Sequence, residues 1–256
     1  MWSSIKNVAI PKTFSEAIEY KSKSKSALFG GGTYLVAESN TKIQNLVDIN
    51  GIVNNSIEIT DDSITIGAGS TIQNLINNLS DFSLFVDALK YSCFSKNIRN
   101  QRTVGGEIAQ KRVQSELFTY LVAINPIIEI RTPNKMNTSV REWDGNGIIN
   151  KLIINKIELE SSGFERFATL PSAPAFVIVA VVRRALELDF VISGKAKKVY
   201  GHTINLVDFN KNTIKNIINE SVKYFKDDQY VSLEYKKSMI ATGIQRAVEK
   251  ILSNKL

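Results

Sequence analysis

Phe29-Gly30-Gly31-Gly32-Thr33-Tyr34-Leu35 is the stretch on which the reading of this chain turns. The apolar run Ser26-Ala27-Leu28-Phe29 leading into it reads as a short strand, and Thr33 to Glu38 beyond it as the start of a brief helix. Three consecutive glycines expose backbone N–H groups with no Cβ in the way. Such a nest ahead of a helix can hold phosphate oxygens. Glycines also supply positive φ where a strand turns sharply, so both uses stay open. The stretch is neither GxGxxG nor a P-loop, because no Gly-Lys-Ser/Thr follows. A second such segment is Ile98-Arg99-Asn100-Gln101-Arg102-Thr103-Val104-Gly105-Gly106-Glu107, where a double glycine closes a basic, polar loop. Thr103 and the Gly105 and Gly106 amides are candidates for another anionic or polar ligand segment. Gly67-Ala68-Gly69 is a weaker third case, read as a strand-to-helix turn.

Around these loops the chain alternates strand and helix patterns. Phe14–Tyr20 reads as an amphipathic helix with a capping box from Thr13 to Glu16. Asn45–Ile49 reads as a strand, and Ile57-Glu58-Ile59 with Ile64-Thr65-Ile66 as a hairpin about Asp61-Asp62. Helical spacing follows at Thr71–Leu79, Leu84–Tyr91 and Leu117–Ile124, and Ile127–Arg131 reads as a strand ended by Thr132-Pro133-Asn134. Ser95–Gly106 shows no clear period, and Lys151–Leu159 alternates like a strand. A domain boundary is expected at Ser161-Ser162-Gly163, followed by β-rich segments at Phe176–Val182 and Leu188–Ile192 and helices near 213–225 and 234–253. The fold class is α+β: a domain over 1–160, with subdomains about 1–52 and 53–160, then a smaller α+β domain over 161–256.

Composition removes several functions. The 256 residues are 43% hydrophobic and 22% charged, with a mean hydropathy of −0.07, as in a globular chain. No apolar run reaches the ~18 residues of a membrane span, and no secretory signal opens the chain, so a cytoplasmic location is expected. One cysteine, Cys93, and one histidine, His202, leave no iron–sulfur or structural zinc set. Cys93 reads as a small buried residue, Trp143 as a packing residue at a turn, and His202 receives no role. The net charge of +7 comes from scattered lysines without aromatic interleaving, which argues against nucleic-acid binding. Redox work would therefore need an organic cofactor or another subunit.

GGGT at 30–33 paired with IRNQRTVGGEIA at 98–109 resembles the FAD-binding, medium-size subunit of the molybdenum hydroxylases, the xanthine dehydrogenase and carbon monoxide dehydrogenase flavoproteins. Asn45-Leu46-Val47-Asp48-Ile49, Ile66-Gly67-Ala68 and Ser232-Leu233-Glu234-Tyr235-Lys236 also fit that pattern. The resemblance implies a PCMH-type fold, shared with vanillyl-alcohol oxidase, with a smaller C-terminal domain. It implies FAD held by Phe29, Gly30, Gly31, Gly32, Thr33, Tyr34 and Leu35, and by Thr103, Val104, Gly105, Gly106 and Glu107. Glu116 corresponds to a family aspartate that meets the ribityl or ribose region. Three residues depart from the usual pattern: Tyr34 stands for Asp, Asn or Ser, Arg102 for a small residue, and Glu107 for Asn.

The activity implied is a relay. Electrons leave a molybdopterin-binding large subunit, cross a [2Fe–2S] iron–sulfur subunit, and pass through this FAD to NAD⁺ or another acceptor. Purines such as xanthine are the substrates expected of the complex. No catalytic residue and no metal ligand is assigned within the chain. Two alternatives stand beside this reading: a self-sufficient FAD oxidoreductase of the same fold, such as a UDP-N-acetylenolpyruvylglucosamine reductase, and a flavin-free scaffold that docks partner subunits.

Overall fold

The structure, a computed structural model, describes residues 3–253. In chain order its strands are β1 (Asn7–Ala9), β2 (Ser26–Phe29), β3 (Asn45–Asp48), β4 (Ile57–Ile59), β5 (Ser63–Gly67), β6 (Ile127–Arg131), β7 (Lys135–Ser139), β8 (Ile148–Asn155), β9 (Ser162–Phe167), β10 (Val177–Arg184), β11 (Glu187–Gly194) and β12 (Tyr200–Asn205). The helices are α1 (Phe14–Ser22), α2 (Thr33–Glu38), α3 (Ile72–Asn78), α4 (Ser83–Ser92), α5 (Lys96–Arg99), α6 (Val104–Gln110), α7 (Glu116–Ile124), α8 (Lys156–Glu160), α9 (Lys211–Val222) and α10 (Leu233–Ser253). The chain folds into two compact units. The first takes residues up to Asn78, Ser95–Gln110 and Pro126–Ile154; the second takes Leu79–Phe94, Lys111–Asn125 and residues from Asn155 on.

The first unit holds two sheets. β1, β3 and β2 form a parallel three-stranded sheet, and α1 packs on it through Ala17, fully buried with Val47 and Ile148. Thr13 caps α1 by accepting a hydrogen bond from Glu16 N–H at 3.2 Å, and Glu16 Oε2 accepts from Lys12 N–H at 2.8 Å. The second sheet runs β4-β5-β8-β6-β7. On β6 Glu129, 3% exposed, is held by Lys135 and Arg131, each at 2.9 Å, and by Asn150 at 2.8 Å. Burial alone would raise the Glu129 carboxyl. The hydrogen bonds from Lys135 and Asn150 and the charges of Arg131 and Lys135 outweigh it and hold the group below the ordinary carboxylate range.

In the second unit, β12-β11-β10-β9 form an antiparallel sheet. Val177, Val179 and Val181 alternate on one face of β10 and are fully buried with Ile240, Ile244 and Ala247 of α10. A Cβ at Gly163 would lie 2.2 Å from the Ala247 carbonyl oxygen, so glycine lets α10 lie directly on β9. α7 is buried along almost its whole length, which is why it reads as apolar all round.

Several local expectations are corrected. Lys151–Leu159 is not one strand: β8 ends at Asn155, whose side chain caps α8 by accepting from Ile157 N–H at 3.2 Å. Ser95–Gly106 carries α5 and the start of α6, helices that two adjacent glycines hide from periodicity.

Candidate functional site

The site is a cleft within the first unit, where all three glycine turns meet. Gly30 to Leu35 form one wall, Arg102, Thr103, Gly105 and Gly106 another, and Ala68 and Gly69 lie between them. Leu28, Ile49, Val53, Trp143 and Ile148 supply apolar surface. The third turn, weighted least in the sequence, is therefore part of the same cleft.

Backbone contacts lock the turns together. A Cβ at Gly31 would lie 1.8 Å from the Gln101 carbonyl oxygen, so the first loop rests directly on the backbone of the second. Gly32 has φ +67, the left-handed region that favours glycine, and a Cβ there would strike the Phe29 ring at 2.3 Å. Asn50 holds the loop from outside, donating to Gly30 O at 3.1 Å and to Asp48 Oδ1 at 2.9 Å. The second loop docks on the third: Gly105 N–H donates to Ala68 O at 2.9 Å, Val104 N–H to Ser70 O at 3.0 Å, and Ile72 N–H to Arg102 O at 2.8 Å.

These bonds divide the two loops by task. Among the described residues, none accepts a hydrogen bond from the backbone N–H of Gly31, Gly32 or Thr33. The amides expected to serve the second loop are instead committed inside the protein. That of Gly105 goes to Ala68, and that of Gly106 to Thr103 Oγ1 at 3.2 Å. Gly105 is glycine for packing, since a Cβ there would lie 2.7 Å from Ala68 Cβ.

The remaining site residues fall into place around this. Phe29 supports Gly32 from below, and Val104 is fully buried in α6. Glu107 is also fully buried and accepts from Tyr34 Oη at 2.9 Å. Arg102 Nη1 stands 3.9 Å from Glu107 Oε2, and its guanidinium lies 4.2 Å from the Tyr34 ring centroid. The three departures noted in the sequence thus form one cluster. Glu116 belongs to the second unit, does not line the cleft, and pairs with Arg166 at 2.7 Å. Trp143 is 5% exposed, donates to Asn146 O at 2.8 Å and lines the cleft as well. Sequence reading ranked Gly67-Ala68-Gly69 as the weakest of the three turns and missed Asn50 and Ile148 as site residues. Neither of the latter carries a local signal, because an apolar wall and an asparagine after a strand look ordinary.

A family model for the FAD binding domain in molybdopterin dehydrogenase matches residues 4–142, a span that contains all three turns. The chain belongs to this family. Its cofactor is accordingly FAD. This molybdopterin-dehydrogenase FAD domain is also similar to solved structures across its length. A chain of the carbon monoxide dehydrogenase from Hydrogenophaga pseudoflava, in a form lacking the Mo-pyranopterin moiety of the molybdenum cofactor, is 16% identical, with a TM-score of 0.78 and 98% of each chain covered. Reconstituted CO dehydrogenase from Oligotropha carboxidovorans gives 15%, 0.76 and 98% of each chain. Quinoline 2-oxidoreductase from Pseudomonas putida 86 gives 15% and 0.74, covering 97% of this chain and 98% of that one. At these identities the likeness establishes the fold. No curated protein sequence matches the chain.

The residues present fit FAD. Three adjacent N–H donors on a glycine loop suit a diphosphate, and charge-assisted N–H bonds are roughly twice as strong as neutral ones. Leu28, Ile49, Val53 and Ile148 give the same cleft apolar surface.

Proposed function

We propose that this chain is the FAD-binding electron-transfer subunit of a molybdopterin-dependent hydroxylase. It would take electrons from a [2Fe–2S] subunit, which draws them from a molybdopterin-binding large subunit, and pass them to NAD⁺ or another acceptor. A xanthine dehydrogenase-like complex acting on purines in the cytoplasm is the specific form we favour. The observation that carries the reading is the family match over residues 4–142, which contains all three glycine turns of the cleft. The same match weighs against a self-sufficient reductase and a flavin-free scaffold. With one cysteine and one histidine in the sequence, metal centres are assigned to partner chains. Among the described residues no helix is long and apolar enough to cross a membrane.

FAD supplies the two-electron chemistry when bound. This chain's part is binding and positioning. We assign the Gly31, Gly32 and Thr33 N–H groups to the diphosphate, with Gly30, Tyr34, Leu35, Thr103 and Gly106 lining its path. Phe29, Val104 and Gly105 hold the loops in register. Glu107 enters as a positioning carboxylate, since it is buried and already paired. The division proposed is FAD on 1–160 and partner docking on 161–256.

The test uses the purified full chain. Denaturation should release FAD and not FMN, which lacks the diphosphate and adenosine. Purine oxidation with NAD⁺ should require added iron–sulfur and molybdopterin subunits, whereas turnover by this chain alone would refute the relay. NADH-to-dye activity of the chain alone is compatible with it.

A further inference from the structure

We infer that Glu129 and Asn150 form a buried carboxylate–carboxamide pair that positions one wall of the cofactor cleft. The inference rests on the FAD reading and adds to it two positioning residues outside the glycine motifs. Neither is among the residues that line the cleft, and both act through residues that do.

Asn150 ties separate stretches of that wall together. Its main-chain oxygen accepts from Ala68 N–H at 2.9 Å, and its Oδ1 accepts from Asn54 N–H at 3.1 Å. Asn54 O in turn accepts from Gly69 N–H at 2.8 Å. Ala68, Gly69, Val53 next to Asn54, and Ile148 and Ile149 next to Asn150 on β8 all line the cleft. The fit is close, since a Cβ at Gly67 would lie 2.3 Å from Asn54 O. The third turn passes this register on, because Ala68 O accepts from Gly105 N–H in the second loop.

A carboxamide can serve Asn54 in only one of its two orientations, and Glu129 selects it. An ionised carboxylate accepts hydrogen bonds and donates none, so Asn150 turns Nδ2 toward Glu129 Oε1, 2.8 Å away, and Oδ1 toward Asn54. Arg131 and Lys135 at 2.9 Å, with Lys151 at 4.0 Å, favour the ionised form. Glu129 is 3% and Asn150 8% exposed, so water is a poor substitute for a lost partner.

The experiment inverts the polarity of the pair in the full-length apoprotein. Asn150→Asp keeps the shape of the side chain but sets a second carboxylate against Glu129, where like charges repel. Adding Glu129→Gln supplies a donor again, because the glutamine can turn its Nε2 toward the new carboxylate and leave the other oxygen for Asn54. Fluorescence titration reads FAD affinity, and amide hydrogen exchange over 67–70 reads the tether itself. Asn150→Asp should weaken FAD about tenfold, as when the wall is closed in about one molecule in ten, and should speed exchange at Ala68 and Gly69. The double variant should bring affinity back to within about threefold of wild type and slow the exchange again. A residue that only fills space would tolerate the isosteric Asn150→Asp, and one that only supports the fold would not be rescued by a second substitution. Asn150→Asp that matches wild type in FAD affinity or in exchange, or a double variant no better than the single one, overturns the inference. If circular dichroism shows Asn150→Asp unfolded, the double variant decides: folded and binding FAD nearly as wild type it supports the pair, and unfolded or weakened it overturns it. Wild type failing to bind FAD would remove the underlying reading, whereas exchange over 67–70 in the apoprotein would still test the tether.

Discussion

Substituting Gly31 by alanine should separate cofactor affinity from folding. The added Cβ would lie 1.8 Å from the Gln101 carbonyl oxygen and 2.7 Å from its carbon, both backbone atoms that no side-chain rotation can move. Ordinary contact begins at 3.4 Å, so the two loops must part by 3.4 − 1.8 = 1.6 Å at this point. A shift of that size takes donors at Gly31 and its neighbours out of the narrow range in which an N–H···O bond is formed. Each bond to a charged oxygen contributes about 1.5–3 kcal/mol. Losing two costs about 3–6 kcal/mol, roughly a hundredfold to ten-thousandfold in Kd. Flavin fluorescence titration of the apoprotein measures this, with circular dichroism confirming the fold. Folded Gly31→Ala that binds FAD within about threefold of wild type would refute the assignment of this loop to the diphosphate.

Gly105→Ala should act on stability before affinity: its Cβ meets Ala68 Cβ at 2.7 Å and Ala68 O at 2.8 Å, overpacking that typically costs about 1–3 kcal/mol and should appear as a lower Tm. Glu116→Ala leaves Arg166, 8% exposed in its side chain, without its carboxylate, and breaking such a buried pair costs about 3–5 kcal/mol, measurable by urea denaturation. Asp228 is held below the ordinary carboxylate range, first by the hydrogen bond from Lys236 and then by that from Tyr230 N–H. Its folded value is depressed, so the stability it contributes is present above about pH 4 and lost as the pH falls below that. Asp228→Asn should flatten the acid limb of a stability–pH curve, and an unchanged limb would show that the pair contributes nothing.

Much of the fold was legible because the sequence carries it locally. The three glycines at 30–32 announce a turn with exposed amides, and the Thr13–Glu16 spacing announces a helix start that forms as read. Features set by distant partners were not legible. Gly105-Gly106 reads as a loop, yet it lies in α6, because Gly105 must approach Ala68 closely and tertiary contact overrides its poor helix propensity. For the same reason its amide, free by sequence logic, is taken by Ala68. Lys135–Ser139 is too polar to read as a strand, but β7 forms at a sheet edge where pairing with β6 suffices. Tyr34, Arg102 and Glu107 stood out singly as departures from a pattern; only the fold shows them touching.

The central claim is that the glycine loop at 30–33 grips the FAD diphosphate. Solving the structure of the full chain loaded with FAD tests it most directly. The account predicts diphosphate oxygens about 2.7–3.2 Å from the backbone nitrogens of Gly31, Gly32 and Thr33. FAD bound with its diphosphate away from these nitrogens would contradict it.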